Sequence, residues 1–174
     1  MFIFIAGTAR SGKSEYAERR ALELGRNSQK IYIAAAKIYD SEMLRRVELH
    51  QTRRKDMGFL TIERPDGLGE LELPENSCVL LESLSIWTAN EMFTDSGVNH
   101  DAGEKVFRDF ITLRDSVRDI VLVSDDIFSD GVSYDSLTEE YIRGLARLHV
   151  RLAAIADEVV EIFAGIPLQY SIIT

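Results

Sequence analysis

The sequence predicts an α/β fold with a mainly parallel sheet and helices on both faces. Short apolar runs rich in branched residues alternate with longer amphipathic stretches, the pattern of strands joined by crossover helices. With 174 residues, the chain is long enough for one packed core and too short for two ordinary domains with a linker. We therefore expect residues 1–174 to form a single domain.

The predicted strands are the short apolar runs, most of which lack the polar alternation of a sheet with one solvated face. They cover residues 2–6, 30–34, 60–64, 78–82, 120–124 and 159–163. The one cysteine, Cys78, lies in such a run, which excludes an internal disulfide and favours a buried thiol.

The predicted helices follow from apolar spacing and from capping residues. Residues 13–24 stop at Gly25, a natural C-terminal cap. Residues 40 to about 54 have Asp40 as a plausible N-cap. Residues 136–156 open on the capping box pattern of 136–139 and carry an apolar stripe that we interpret as core packing. Loops are predicted over 65–76 and 125–135, where Asp, Gly, Ser and Pro accumulate.

The charge balance and the apolar runs exclude several classes of protein. A net charge of −9 and a pI near 4.9 disfavour binding to nucleic acid or to anionic membrane surfaces. The apolar start of the chain is shorter than a secretory signal, and no run approaches the ~18 apolar residues of a membrane span. We expect a cytoplasmic protein.

A phosphate-binding motif lies between the first predicted strand and the first predicted helix. The segment matches G-x-x-x-x-G-K-[ST] with the residues Gly7, Thr8, Ala9, Arg10, Ser11, Gly12, Lys13 and Ser14. Glycines at both ends let successive backbone N–H groups point at phosphate oxygens, and the helix start adds its positive dipole end. We expect Lys13 to reach the β and γ phosphates and Ser14 to complete a Mg²⁺ shell. The alternative is a glycine-rich turn, but the strand before it and the helix after it favour a P-loop.

A P-loop needs a second acidic group near the metal, normally at the tip of a neighbouring strand. Glu82 ends the predicted strand 78–82 and is the best candidate, with Asp125 and Asp126 after the next long strand as runners-up. The alternative for Glu82 is a surface glutamate that merely ends a strand.

With these residues in place, nearly the whole chain resembles the bifunctional adenosylcobinamide kinase and adenosylcobinamide-phosphate guanylyltransferase family of cobalamin biosynthesis. The loop 7–14 is similar to the family's G-G-A-R-S-G-K-S. The most specific match is to its Y-I-A…D-x-E-M-x-x-R-I-x-x-H block, carried by Tyr32, Ile33, Ala34, Asp40, Glu42, Met43, Arg46 and His50. Arg54, Thr61 and Glu63 are similar to the family's R…W-x-T-x-E stretch. Residues 80–84 and 87–90 resemble its L-L-[DE]-C-L-x-x-W-x-x-N segment. Residues 151–159 and 164–167 resemble its C-terminal region.

The resemblance implies a P-loop NTPase fold of the RecA-like kind and two reactions on a corrinoid substrate. ATP or GTP phosphorylates the cobinamide hydroxyl, and GMP from GTP is then transferred to that phosphate through a guanylylated histidine, which matches His50. A neutral imidazole is a competent nucleophile near pH 7, and Arg46, one helical turn earlier, could stabilise charge on the transferred phosphate. The resemblance also implies Glu63 as a nucleotide-binding residue and a homotrimer.

Alternatives remain at the histidines and at the substrate. His50 could be a solvated helical residue, while His100 and His149 are interpreted as structural. The family's [ST]-N-E-V-G-x-G-I-V-P stretch is replaced here at 124–133, with Asp125 for the Asn, Phe128 for one glycine and no proline. Because of this altered loop, two alternative functions remain. The protein could be a P-loop kinase that acts on another small hydroxylated substrate, or a non-catalytic nucleotide-binding relative.

Overall fold

The computed structural model describes residues 1–37, 54, 56–128 and 131–170. The strands are β1 (Phe2–Gly7), β2 (Gln29–Ala34), β3 (Phe59–Glu63), β4 (Ser77–Glu82), β5 (Phe93–Thr94), β6 (Gly97–Val98), β7 (Asp119–Asp125), β8 (Glu158–Phe163) and β9 (Ile166–Tyr170). The helices are α1 (Lys13–Leu24), α2 (Leu84–Met92), α3 (Ala102–Ser116) and α4 (Ser136–Ile155), with short 3₁₀ turns at Gly25–Asn27 and Leu68–Glu70.

A seven-stranded sheet in the order β3-β2-β4-β7-β1-β8-β9 organises the molecule. Its neighbouring strands run parallel except β9, which pairs antiparallel with β8. In register, Gly7 of β1 lies opposite Asp125 of β7, and Glu82 of β4 lies opposite Val123. The carboxyl ends of β1, β4 and β7 therefore meet at one edge, where an open α/β sheet binds its ligands.

Both faces of the sheet are covered, as the sequence predicts. Helix α1 packs through Ala17 and Ala21 on the face that carries Ile3, Ile5 and Val121. The other face is covered by α2, α3 and α4, whose core side chains include Leu84, Trp87, Val106, Phe110, Leu113, Leu145, Leu148 and Leu152. Among the described residues, no helix has the length and apolar character needed to cross a bilayer.

The predicted strands are all confirmed, with boundaries that differ by at most one residue. Cys78 is buried, as expected, and burial raises the pKa of its thiol to about 12. Helix α1 ends at Leu24 before Gly25, as predicted; a Cβ at Gly25 would approach Lys30 Cγ to 2.6 Å. The helix predicted over 40–54 lies outside the described residues except for Arg54, which is helical.

The sequence does not predict α2, α3 or β9. Helix α2 buries most of its residues, including Ser85, Thr88, Asn90 and Glu91, so it has no polar stripe to reveal a helical period. Strand β9 contains Pro167, which is tolerated because β9 is an edge strand paired on one side only.

The predicted N-cap of α4 is wrong. The capping box starting at Ser136 does not form; instead Asp135 caps the helix, with its Oδ1 accepting from the N–H groups of Leu137 and Thr138 at 3.0 and 3.1 Å. The shift of one residue arises because a carboxylate accepts two amide hydrogen bonds and also suits the positive helix end.

This cap yields a direct stability prediction. Asp135→Ala removes the acceptor for two N–H groups of α4 and should lower the urea concentration at the midpoint of unfolding. Ser136→Ala, at the cap position that the sequence favours, should change that midpoint much less. Urea unfolding followed by circular dichroism compares the two; a larger loss for Ser136→Ala would contradict the assignment.

Candidate active site

The phosphate loop joins the buried end of β1 to the first turn of α1. Gly7 is the last residue of β1 and Lys13 the first of α1, as the motif requires. Two neighbours fix the loop's backbone: the Asp126 N–H donates to Gly7 O and the Gly165 N–H donates to Ser11 O, both at 2.9 Å. The loop is therefore held from β7 and from the β8–β9 turn.

The two motif glycines are required for different steric reasons. A Cβ at Gly7 would lie 2.7 Å from Ser11 Oγ and 2.8 Å from Ile162 O, so no side chain fits there. Gly12 adopts φ 93°, in the left-handed region that favours glycine. It also brings no side chain to cap the amides at the start of α1. Those amides are thus open to a ligand's acceptor atoms.

Ser11 carries an unsatisfied hydroxyl inside the loop. Its Oγ is buried and has no hydrogen-bond partner within the described residues. Buried polar atoms in native proteins nearly always have a partner, so an orphan at this position fits a loop shaped for a bound anion.

Lys13 and Asp125 form an ion pair across the tips of two strands. Lys13 Nζ lies 2.8 Å from Asp125 Oδ1 and donates to Thr8 O at 3.1 Å. The other oxygen, Asp125 Oδ2, accepts from Ser85 Oγ at 2.6 Å. Burial alone would raise the pKa of Asp125, but the hydrogen bonds from Lys13 and Ser85 outweigh it and hold that pKa below its usual value.

Ser14 and Glu82, the predicted metal pair, are in direct contact. Ser14 Oγ donates to Glu82 Oε1, while Glu82 Oε2 accepts from Tyr32 Oη at 3.2 Å and from Arg54 Nη2 at 3.4 Å. Arg54 is buried, with its guanidinium 3.5 Å from the Tyr32 ring centroid and its Nε donating to Glu18 at 3.3 Å. The Glu82 carboxylate is thereby fixed from two sides beside the phosphate loop.

A cleft of about 520 Å³ opens beside the phosphate loop. Its polar lining comes from Lys37, Ser85, Asn90, Asp125 and Asp126, and its apolar lining from Ala9, Ala36, Ile86, Ala89, Ile127 and the Tyr141 ring. This size and composition are typical of a small-molecule site in which a few polar groups orient the ligand.

The remaining predicted site residues lie at the edge of the sheet, in the cleft, or outside the described residues. Glu63 is the last residue of β3, and its side chain is exposed. Ala34 of β2 pairs in register with Glu63 on one side and with Glu82 on the other, so both glutamates lie at the same edge of the sheet. Arg46 and His50 lie outside the described residues. Of the metal candidates, Glu82 contacts Ser14 whereas Asp125 contacts Lys13. Asp126 lines the cleft and accepts from the Phe128 N–H.

The two described histidines have protein partners. His100 is exposed and its Nδ1 lies 2.7 Å from Glu140. His149 Nε2 lies 2.7 Å from the buried Ser124 hydroxyl, with its ring edge-to-face with Phe4 and Phe128. Burial lowers the pKa of His149 from 6.5 to about 4, against the opposing effect of the carboxylates of Asp126 and Asp125.

The lowered pKa of His149 predicts acid sensitivity. Between pH 6.5 and pH 4 the unfolded chain binds a proton at this residue that the folded chain does not, so stability falls with pH in that window. Above pH 6.5 the contribution of His149 to the free energy of unfolding is fully present, and at pH 5 it should be smaller by about 2 kcal/mol. In urea unfolding, His149→Gln should flatten the dependence of the free energy of unfolding on pH over this window. An unchanged slope in His149→Gln would contradict this origin.

The contacts of two site residues, Arg54 and Ser85, cannot be predicted from the sequence alone. The burial of Arg54 between Glu18 and Glu82 depends on three separate segments, and no local pattern signals it. Ser85 is an ordinary serine in sequence, and only the fold brings it to Asp125. An acid directly after an apolar strand is the signal that does identify Glu82 and Asp125.

Comparison with solved structures supports the fold. A structure solved as an ATPase domain aligns with a TM-score of 0.52 at 13% identity, covering 92% of this chain and 68% of that chain. A DnaB-like replicative helicase, solved to study its interactions with primase, aligns with a TM-score of 0.53 at 11% identity, covering 92% of this chain and 46% of that one. The predicted P-loop NTPase fold, with its mainly parallel sheet, is confirmed.

Comparison with known sequences assigns the family. A family model described as cobinamide kinase / cobinamide phosphate guanyltransferase matches residues 3–170. The bifunctional adenosylcobalamin biosynthesis protein CobU of Escherichia coli is 33% identical, covering 95% of this chain and 97% of the relative. The corresponding CobP of Pseudomonas aeruginosa is 32% identical over 94% of each chain. The chain therefore belongs to the cobinamide kinase and cobinamide phosphate guanyltransferase family.

Proposed function

We propose that this enzyme phosphorylates the hydroxyl of adenosylcobinamide with a nucleoside triphosphate and then transfers GMP from GTP to the new phosphate. The observation that carries the proposal is the loop 7–14, with the Ser14–Glu82 contact and with Lys13 paired to Asp125, which lines a cleft sized for a small molecule. Family membership supports the identity of the corrinoid acceptor, and ATP and GTP are the expected nucleotides.

In this proposal the loop binds the triphosphate through local geometry, because the net charge of −9 opposes anion binding at long range. The amides at the start of α1, the Ser11 hydroxyl and the backbone of Gly7, Thr8, Ala9, Arg10 and Gly12 surround the phosphates. The Lys13 ammonium exchanges the Asp125 carboxylate for β- and γ-phosphate oxygens. Charge that develops on the transferred phosphoryl group is then stabilised without movement of solvent.

Ser14 and Glu82 fit a magnesium site. A hydroxyl and a carboxylate oxygen in contact are hard oxygen donors of the kind that Mg²⁺ takes, with phosphate oxygens and water completing the shell. When bound there, the ion neutralises phosphate charge during transfer. Tyr32 and Arg54 keep the Glu82 carboxylate oriented toward Ser14.

For guanylyl transfer we propose His50 as the nucleophile and Arg46 as the residue that stabilises the transferred phosphate. The proposal depends on the resemblance of the segment 32–50 to the family's block. It is consistent with the surroundings of the other histidines, since His100 pairs with Glu140 and His149 with Ser124. Glu63, on the same sheet edge as Glu82, is proposed to bind the nucleotide. We further propose a homotrimer that acts in the cytoplasm.

The test is product analysis by mass spectrometry. Purified protein, adenosylcobinamide and Mg²⁺–ATP should yield adenosylcobinamide phosphate, and addition of GTP should yield the GDP-linked corrinoid. Triphosphate hydrolysis that cobinamide neither stimulates nor diverts into a phosphorylated product would contradict the acceptor. Tight nucleotide binding without turnover under any condition would instead favour a non-catalytic relative.

A further inference from the structure

We propose that Asp125 is the general base of the phosphorylation step and takes the proton of the acceptor hydroxyl at its Oδ1 atom. The inference rests on the proposed function and adds a catalytic residue to it. Asp125 ends β7 and lines the cleft together with Ala9 of the phosphate loop. Its side chain is 30% exposed, so an acceptor in the cleft can reach it. The carboxylate thus lies between the phosphate loop and the acceptor's space.

The two oxygens of Asp125 have different surroundings. Oδ2 accepts from Ser85 Oγ at 2.6 Å and from Ser83 Oγ at 3.5 Å, and the two serine hydroxyls lie 2.9 Å apart. Ser85 is fixed in turn, because Tyr141 Oη donates to its carbonyl at 2.8 Å. Oδ1 faces the Lys13 ammonium. A change at Lys13 therefore frees Oδ1 while Oδ2 stays anchored.

Nucleotide binding supplies that change. In the proposed nucleotide complex the Lys13 ammonium moves from Asp125 Oδ1 to the β- and γ-phosphate oxygens. Losing this cation raises the proton affinity of the carboxylate, since the Lys13 hydrogen bond is one cause of the lowered pKa of Asp125. Asp125 becomes a stronger base only when a phosphoryl donor is present.

A second cation, Lys37, lines the same cleft, but its ammonium pairs with Asp66 at 3.9 Å, whereas Lys13 contacts Asp125 directly. Asp126 follows it in the chain and also lines the cleft. On α4, burial and the Asp125 charge raise the pKa of Tyr141 to about 12, and burial lowers the pKa of His149 to about 4, so both are neutral near pH 7. The charge on Asp125 therefore responds chiefly to Lys13 and to the bound phosphates.

The chemistry balances without another reactant. The acceptor's hydroxyl oxygen forms a bond to the γ-phosphorus as its proton passes to Asp125 Oδ1. The bond from that phosphorus to the bridging oxygen breaks, and its electron pair leaves with the nucleoside diphosphate. The proton then passes from the carboxyl group to solvent when products leave. General bases of this kind contribute roughly 10²- to 10⁴-fold to a rate.

The test is Asp125→Asn, which keeps the side chain's size and an acceptor for Ser85 but removes the base. We expect kcat for adenosylcobinamide phosphorylation to fall about 100-fold or more, with Mg²⁺–ATP affinity equal to or tighter than wild type. Guanylyl transfer to preformed adenosylcobinamide phosphate should fall much less, because a phosphate nucleophile at about pH 8 has already lost its proton. Asp115→Asn, at an exposed position on α3, is the matched control and should match wild type in both assays.

Two results would overturn the inference while leaving the proposed function intact. One is an Asp125→Asn enzyme whose phosphorylation kcat stays within about threefold of an active wild type, since loss of a base costs far more. The other is a parallel loss of kcat and nucleotide affinity, which would mean that Asp125 merely positions Lys13. A wild-type enzyme that cannot phosphorylate adenosylcobinamide at all would instead contradict the proposed function.

Discussion

His50→Ala should abolish the covalent adduct that forms when the protein is incubated with Mg²⁺ and GTP labelled at its α-phosphate. In the proposed two-step transfer, imidazole nitrogen displaces pyrophosphate and carries GMP as a phosphoramidate, so removal of the ring removes the only atom that holds the label. Wild-type protein should show an adduct that is lost in acid and stable in base. Phosphorylation of adenosylcobinamide, which needs no such intermediate, should persist in the variant.

The chain offers a matched control for this experiment. His100 is exposed and paired with Glu140, and His100→Ala should form as much adduct as wild type. Absence of label from active wild-type protein, or labelling of His50→Ala at the wild-type level, would contradict the nucleophile assignment. Peptide mapping of the labelled protein then identifies the modified residue directly.

Lys13→Ala should reduce triphosphate turnover about 10²- to 10³-fold, the loss that follows removal of one charged donor from a preorganised phosphoryl-transfer site. Asp125 and Thr8 O hold the Lys13 ammonium beside the phosphate loop in the free enzyme, and the proposal has it exchange Asp125 for phosphate oxygens when the nucleotide binds. The variant also leaves Asp125 without its cation in the free enzyme. Steady-state assays with ATP and with GTP measure the effect.

Lys30→Ala is the comparison for Lys13→Ala. Lys30 lies near the start of β2, paired in register with Phe59 and Cys78 at the opposite edge of the sheet from the phosphate loop. It should keep wild-type turnover once folding has been verified by circular dichroism. Equal losses in both variants would indicate a general charge or stability effect and would contradict a specific role for Lys13.

Sequence patterns predicted the sheet well because they depend on local physics. Strands β1, β4 and β7 are buried on both faces and are therefore nearly continuous apolar runs, as their side chains confirm. Helix α2 escaped prediction because it is buried on most sides, and its polar members, such as Asn90 bonded to Ala35 O, are satisfied by distant backbone. The cap at Asp135 was misplaced because adjacent polar residues compete for one cap position.

The active site was predictable where a motif fixes its own geometry. The loop 7–14 needs only its glycines, its lysine and its place between β1 and α1. The contacts of Glu82 with Ser14, and of Asp125 with Lys13, depend on strand order, because β7 lies between β4 and β1. No sequence pattern specifies the strand order. That order decides which carboxylate faces the proposed metal and which faces the lysine.

Equilibrium binding of nucleotides to the wild-type protein most directly tests the central claim that the loop's amides and Lys13 hold a triphosphate. Calorimetric titration in Mg²⁺ should detect binding of both GTP and ATP, while guanosine, which lacks the phosphates, should bind at least about 100-fold more weakly. The absence of affinity for either triphosphate, or guanosine binding as tightly as GTP, would contradict the account.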